Sequence, residues 1–421
     1  MVALSDAEKR MLDGAEGEPR RQAMAQLVEV ARFFDAEDMV EVAQVHLMAD
    51  AEALGEAGVR FLEGLAAAPE AERRVRVPTV TDPRGADFTA YERIRQALPF
   101  VELERRAITA FRALGVMMTD TCINYQTIMP PLLGQHLAFG DTGSTIYANS
   151  VQGARSNFEG GPSALAAALT GRVPRYGFHL DRCRRGRTRF RLALRPRDWA
   201  EWGAVGGIVG RRMASYWEVP VIEGVIETGG PPTSDELKHF GAALASFGST
   251  PLFHMVGVTP EAPSLEAVFD RVPPDVQVID RLAIEAFFAD YRPAARDEKL
   301  DVVVFSAPQL SLFELERLAR LLDGRKVHGQ TTLLAATSPE LKRAAERMGL
   351  AKRIEDSGAV LLEGVCFYQM HAREIGEANG WKRLMTNSAK LTNIIAGYGY
   401  EPVLAPMERC VDSAVAGMVI A

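Results

Sequence analysis

Residues Asp301 to Gly324 read DVVVFSAPQLSLFELERLARLLDG: an apolar run, a polar turn and an amphipathic helix. The run Val302 to Phe305 is short and β-branched, which predicts a strand buried on both faces rather than a piece of helix. Ser311 followed three residues later by Glu314 is a capping-box signature. The hydroxyl satisfies a free N–H of the first turn, and the carboxylate reaches back to the serine N–H. The helix opened there should end near Gly324. The cycle repeats with Thr331 to Ala336, with Ser338 and Pro339 at a helix start and Gly349 at its end, and with Ala359 to Leu362. Strands alternating with helices imply an α/β class with a mainly parallel sheet covered on both faces. In such sheets ligands bind outside the carboxyl ends of the strands, which makes Ser306, Ala307 and Cys366 positions of interest.

Toward the N-terminus, Ser5 and Glu8 form another capping box, and Met24, Leu27, Val28, Ala31 and Phe34 follow a helical period. Pro and Gly clusters at Pro78 to Gly85, Pro130 to Gly134, Gly229 to Pro232 and Thr259 to Pro263 mark loops. These signals divide the chain into a largely helical region 1–120, a central α/β region 121–295 and a C-terminal doubly wound region 296–421.

The 421 residues are 47% apolar and 24% charged, as in ordinary folded proteins, so disorder and fibrous classes are excluded. A formal charge of −7 creates no field for a polyanion, which argues against a nucleic-acid partner. The basic run within DRCRRGRTRFR, Asp181 to Arg191, is either a solvated face or a holder for phosphate or carboxylate. No apolar stretch reaches the roughly 18 residues that span a bilayer, and the opening MVALSDAEKR lacks a secretory pattern. A cytoplasmic protein with no membrane partner is expected. The four cysteines are far apart without CxxC spacing, so disulfides are not expected, and Cys183 and Cys410 read as unreactive thiols.

The stretch Gly153 to Gly171, GARSNFEGGPSALAAALTG, changes character halfway. A polar loop carrying Arg155, Ser156, Asn157 and Glu159 runs into an Ala-rich helix, with Pro162 suited to its first position. Free N–H groups there could hold a carboxylate; a tight turn packing a small-residue helix explains the same pattern. Tyr176, His179, Asp181 and Arg184 follow closely, and a second Gly-rich block, GAALASFGSTPLFHMVGVTPEA from Gly241 to Ala262, places His254 in an apolar setting typical of a core histidine. Near the end MTNSAK, Met385 to Lys390, offers Asn387, Ser388 and Lys390 for a carboxylate or phosphate. The alternative is a helix start capped by Asn387 or Ser388 with Lys390 exposed. P-loop, nucleophile-elbow, zinc-protease and dinucleotide motifs are absent.

Several of these blocks, in this order along nearly the whole chain, resemble the aconitase X branch of the aconitase superfamily. The resemblance is carried by Gly153 to Asp181, by Gly241 to Ala262 and by MTNSAK, and more loosely by SDAEKRMLDGAEG from Ser5 and VPTVTDP from Val77. It implies an aconitase-like core of α/β/α domains. The swivelling domain is expected to be absent from this chain and supplied by a separate small subunit. It also implies hydro-lyase chemistry on a small carboxylate or phosphate substrate: cis-3-hydroxy-L-proline to pyrroline-2-carboxylate as the leading expectation, mevalonate 5-phosphate as the alternative. Arg155, Ser156, Asn157, Glu159, His179, Asn387, Ser388 and Lys390 would bind substrate. The family's iron or iron–sulfur cluster is held by three cysteines. Cys122 in TDTCINY and Cys366 in EGVCFYQ match the first and last, whereas the middle position is Ala307. A methyl group cannot coordinate iron, so a binding or assembly paralogue without the iron site is a further alternative. Asn124 and Cys183 also depart from the residues usual in the family.

Overall fold

A computed structural model describes residues 2–292 and 298–420; the boundary expected at 295/296 lies outside them. The strand Val302–Phe305 sits at the centre of a five-stranded, wholly parallel sheet. Thr332–Thr337 and then Val360–Glu363 lie on one side, Arg383–Thr386 and then Glu401–Leu404 on the other. Its unbroken apolar run follows from burial on both faces. Val303 and Phe305 pack with Leu315, Leu318 and Leu322 of the helix Leu312–Leu322, whereas Val302 and Val304 pack with Leu362, Phe367, Ile375 and Leu391. Both halves of the Ser311–Glu314 capping box form, and Ser338 caps the helix Pro339–Arg347.

Two further parallel sheets and an antiparallel pair, Met39–Glu41 with Arg172–Pro174, complete the framework. One orders Thr79–Thr81, Val45–Leu47 and Ala138–Phe139; the other orders His254–Met255, Val219–Glu223, Gly186–Leu192 and Gln277–Ile279. The three-stranded sheet amends the expectation of a largely helical region ending at 120. Strands of two or three residues carry no periodicity, and this sheet takes both Ala138–Phe139 and the packed helix Gly160–Thr170 from beyond that boundary. Phe34 also departs from expectation. The helix Glu18–Phe33 stops just before it, and its ring stacks on Tyr176 with centroids 4.3 Å apart. The basic run is partly a solvated face, with Arg182 and Arg187 exposed, and partly paired within the protein: Arg184 with Glu261, Arg185 with Asp270, and Arg189 and Arg191 with Glu223. Among the described residues no helix is long and apolar enough to cross a membrane.

Helices Trp199–Met213 and Ser234–Gly248 pack almost backbone to backbone. A Cβ at Gly206 would lie 2.1 Å from the Phe240 carbonyl oxygen. The second of these helices also carries the fully buried Lys238, whose ammonium meets Glu314, donates to the Gln309 carbonyl at 3.1 Å and lies 3.2 Å from Asp235. His239 Nε2 reaches the other oxygen of Glu314 at 2.6 Å. Burial alone would raise Glu314, but the charge of Lys238 and the contact with His239 outweigh it and hold the carboxyl at about 2.

Three stability outcomes follow. Gly206→Ala should cost about 1–3 kcal/mol in urea unfolding, because the intruding methyl meets rigid backbone. Gly64→Ala, with open space around its Cβ, should be neutral or stabilising by up to about 1 kcal/mol. Glu314→Gln leaves a buried ammonium short of its counter-charge and should cost about 3–5 kcal/mol at neutral pH. The folded carboxyl titrates below its unfolded value of 4.5, so this contribution is complete above about pH 4.5 and drains away as pH falls toward 2. The gap between wild type and variant should therefore narrow over that window; a gap independent of pH would refute the assignment.

Candidate functional site

The carboxyl ends of the three-stranded and five-stranded sheets face one another. From the first come Asp50, Asp82 and Asp141, each just after a strand. From the second come Ser306 and Ala307 after Val302–Phe305, Cys366 after Val360–Glu363, and Ser388 and Lys390 after Arg383–Thr386. All of these residues are buried. Direct contacts join the two edges. Gln369 Nε2 donates to Asp50 Oδ2 at 3.1 Å and to Asp82 Oδ2 at 2.9 Å, and Lys390 Nζ lies 3.6 Å from Asp141 Oδ1. Beneath them Arg84 pairs with Asp120 at 2.5 Å and donates to the Glu363 carbonyl at 2.9 Å.

Local sequence explains each placement. Asp141 caps the helix Thr142–Val151 by accepting the Ser144 N–H at 2.7 Å, so its carboxylate is fixed at a positive helix end. Ser388 caps the helix Ala389–Ile395, and its hydroxyl donates to the Ala307 carbonyl at 2.5 Å. The capped-start reading of MTNSAK thus holds for Ser388. Lys390, which that reading left exposed, turns inward instead.

Neighbouring groups divide the two nearest carboxyls, both of which are buried. It lifts Asp82 well above the usual carboxylate range, with the charge of Asp141 adding to the effect. Burial acts on Asp141 too, but attraction to Lys390 and the bond from the Ser144 N–H outweigh it and hold the group below its usual value. His46 is kept neutral by burial; its Nε2–H donates to the Thr121 carbonyl at 2.8 Å, which leaves Nδ1 as an unpartnered acceptor. Asp82 Oδ1, Gln309 Oε1 and Gln369 Oε1 are also buried without partners. A neutral carboxyl, an ionised one and an ammonium in one buried cluster form an arrangement suited to general acid–base work on a small anion.

Cys122 and Cys366 belong to the same pocket. Burial pushes Cys122 well up, with the charge of Cys366 adding to it, and burial pushes Cys366 to about 12. The Gln309 N–H approaches Cys122 Sγ at 3.4 Å, and Ser306 Oγ donates to Cys366 Sγ at 3.6 Å. Ala307 stands between these contacts in the chain, fully buried. Among the described residues no group of three His, Cys, Asp or Glu side chains is placed to hold a metal ion. The residues present therefore do not fit a three-cysteine cluster.

The remaining candidates lie elsewhere. Arg155 donates to the His179 carbonyl at 3.1 Å and pairs with Asp181. His179 Nδ1 meets His136 Nδ1 at 2.9 Å, and its Nε2 lies 3.8 Å from Glu159 Oε1, both of those atoms being otherwise unpartnered. Ser156 Oγ accepts the Phe139 N–H and donates to the Asn157 carbonyl, while Asn157 is held by Tyr176 and Phe178 backbone. These two side chains shape the loop and have no free group to offer. Asn387 lines a separate cavity of about 390 Å³ with Trp199, Arg317, Met407 and Glu408. His254 is buried against the Arg184 carbonyl at 2.6 Å, as a core histidine should be. Reading the sequence missed Asp50, Asp82, Asp141, His46, Gln309 and Gln369. Asp82 lies just before the last residue of the quoted VPTVTDP run, and Asp50 and Asp141 each stand as the cap before a helix; the other three leave no local signature.

Of the four free cysteines, Cys183 is partly exposed and the other three are buried. Iodoacetamide mapping of the native chain should modify Cys183 first, with Cys122, Cys366 and Cys410 following only on denaturation. Prompt native labelling of Cys366 would contradict the pocket described above.

Comparison with known proteins agrees with this geometry. Three domain profiles match in order: aconitase X first domain at residues 1–182, second domain at 186–289 and third domain at 300–416. A phosphomevalonate dehydratase large subunit of Methanosarcina mazei is 31% identical, over 98% of this chain and 97% of that protein. A cis-3-hydroxy-L-proline dehydratase of Pseudomonas aeruginosa is 30% identical, over 97% of this chain and 69% of that protein. The crystal structure of Thermococcus kodakaraensis aconitase X in its holo-form superposes with a TM-score of 0.84 at 25% identity, covering 98% of this chain and 100% of that one. Domain order, full-length relatives and architecture agree, and the chain belongs to the aconitase X family of dehydratases.

Proposed function

We propose that this chain is the large subunit of a dehydratase acting on cis-3-hydroxy-L-proline, completed by a small subunit that covers the cleft. The charge balance of the pocket carries this reading. Lys390 supplies one ammonium, already 3.6 Å from Asp141, and Asp50 and Asp82 are joined beside it through Gln369, so a substrate with one carboxylate and its own cationic amine suits the site better than one with both a phosphate and a carboxylate. Expulsion of hydroxide needs a proton donor, and loss of the proton beside the carboxylate needs a base. Asp82, kept neutral by burial, would protonate the departing hydroxyl. Asp141 or the free Nδ1 of His46 would accept the carbon-bound proton, and Lys390 would hold the substrate carboxylate. The products are water and a cyclic enamine that tautomerises to pyrroline-2-carboxylate. Arg155, Glu159 and His179 form a second, largely buried cluster whose unpartnered Glu159 Oε1 and His179 Nε2 would meet the substrate.

Mevalonate 5-phosphate is the second reading. It is favoured by a phosphomevalonate dehydratase large subunit of Methanothermobacter thermautotrophicus, 33% identical over 94% of this chain. The chain should be co-expressed with its small subunit and assayed on both compounds. Turnover of cis-3-hydroxy-L-proline is expected; turnover of mevalonate 5-phosphate alone would reverse the assignment. Asp82→Asn should lower kcat about 10²- to 10⁴-fold with little change in KM, while Lys390→Met should act chiefly on KM.

A further inference from the structure

A three-cysteine iron–sulfur cluster needs three thiolate corners, and in this fold they fall at Cys122, Ala307 and Cys366. Position 307 follows the central strand Val302–Phe305 and is bracketed by the two residues that touch the thiols. Ser306 reaches Cys366 and Gln309 reaches Cys122, so the missing corner lies between the two that remain. Its side chain is a methyl, fully buried in the same apolar cluster as Cys366, Val365 and Phe367.

No neighbour replaces the lost donor. Ser306 Oγ accepts the Phe367 N–H at 3.0 Å while donating to Cys366, so its hydroxyl is already committed. The Ala307 carbonyl accepts the Ser388 hydroxyl. The Gln309 side-chain nitrogen donates to the Asp120 and Val365 carbonyls at 3.1 and 3.2 Å, which turns that side chain into a brace. Asp141 is taken up by Ser144 and Lys390, and Asp82 is bonded to Gln369 through Oδ2 only. Free atoms remain on Asp82, Gln309 and His46, but these are oxygens and an imidazole nitrogen, and among the described residues no third thiolate stands beside Cys122 and Cys366.

We propose that this chain assembles no three-cysteine iron–sulfur cluster, because Ala307 has removed the middle ligand. The inference concerns the proposed dehydratase cleft but does not depend on which substrate is turned over. The full-length chain, co-expressed with its small subunit, is reconstituted anaerobically with ferrous iron and sulfide. Iron, acid-labile sulfide and visible charge-transfer absorption are then measured, with dehydration assayed in parallel. The wild-type chain should retain far less than one equivalent of sulfide-containing cluster; iron bound without sulfide upholds the proposal equally. Ala307→Cys should gain iron, sulfide and colour together, and lose them again when combined with Cys366→Ala. A wild-type chain with stoichiometric iron and sulfide that Cys122→Ala or Cys366→Ala abolishes overturns the proposal. So does an Ala307→Cys chain with wild-type circular dichroism that stays colourless. If that variant does not fold, the wild-type measurement decides alone. Dehydration without a cluster upholds both proposals, whereas dehydration with one overturns only this proposal.

Discussion

Two parallel sheets abutting at their carboxyl ends are the constraint on which the rest of this structure depends. Parallel strands end with their loops on one side, so placing two such edges together concentrates polar loop residues in a seam that the surrounding helices keep dry. A seam of this kind is stable only if nearly every polar atom in it finds a partner. Gln369, Arg84 and Gln309 do much of that pairing, and each ties one sheet to the other or to the loop carrying Cys122. The atoms left over, on Asp82, His46, Gln309 and Gln369, are the ones a reaction could use.

The split between Asp82 and Asp141 has the same origin. Both carboxyls are buried, but only Asp141 has a helix start and an ammonium beside it. Asp82 has the side-chain amide of Gln369 and the charge of Asp141 for company, so removing its proton is far more costly. Two identical side chains thus take opposite protonation states through their neighbours alone.

The C-terminal half was legible in the sequence because its signals are local. Val302–Phe305, the Ser311–Glu314 box and the Ser338 cap each occupy a few adjacent residues, and all formed as read. The N-terminal sheet was not legible. Its strands span two or three residues, too few for a period, and their pairing joins residues from 45 to 139. The pocket shows the same divide. Cys122, Cys366 and Lys390 came from recognisable segments, while Asp50, His46 and Gln369 acquire meaning only when distant loops meet. Ser156 and Asn157 lie in the most conspicuous motif of the chain, yet their polar atoms serve the backbone. Conspicuous polarity in a Gly-rich loop marked a tightly built turn more than a set of free groups.

Glu314 leaves one more thing to consider. It completes the cap of its own helix and at the same time neutralises Lys238 and His239 on a helix from another layer. Separating those layers would take the ammonium and the imidazole away from the carboxylate they share, at a cost of several kcal/mol. One carboxylate therefore fastens the central layer to the C-terminal one at this point, and hinge motion between them is opposed by the loss of both contacts together.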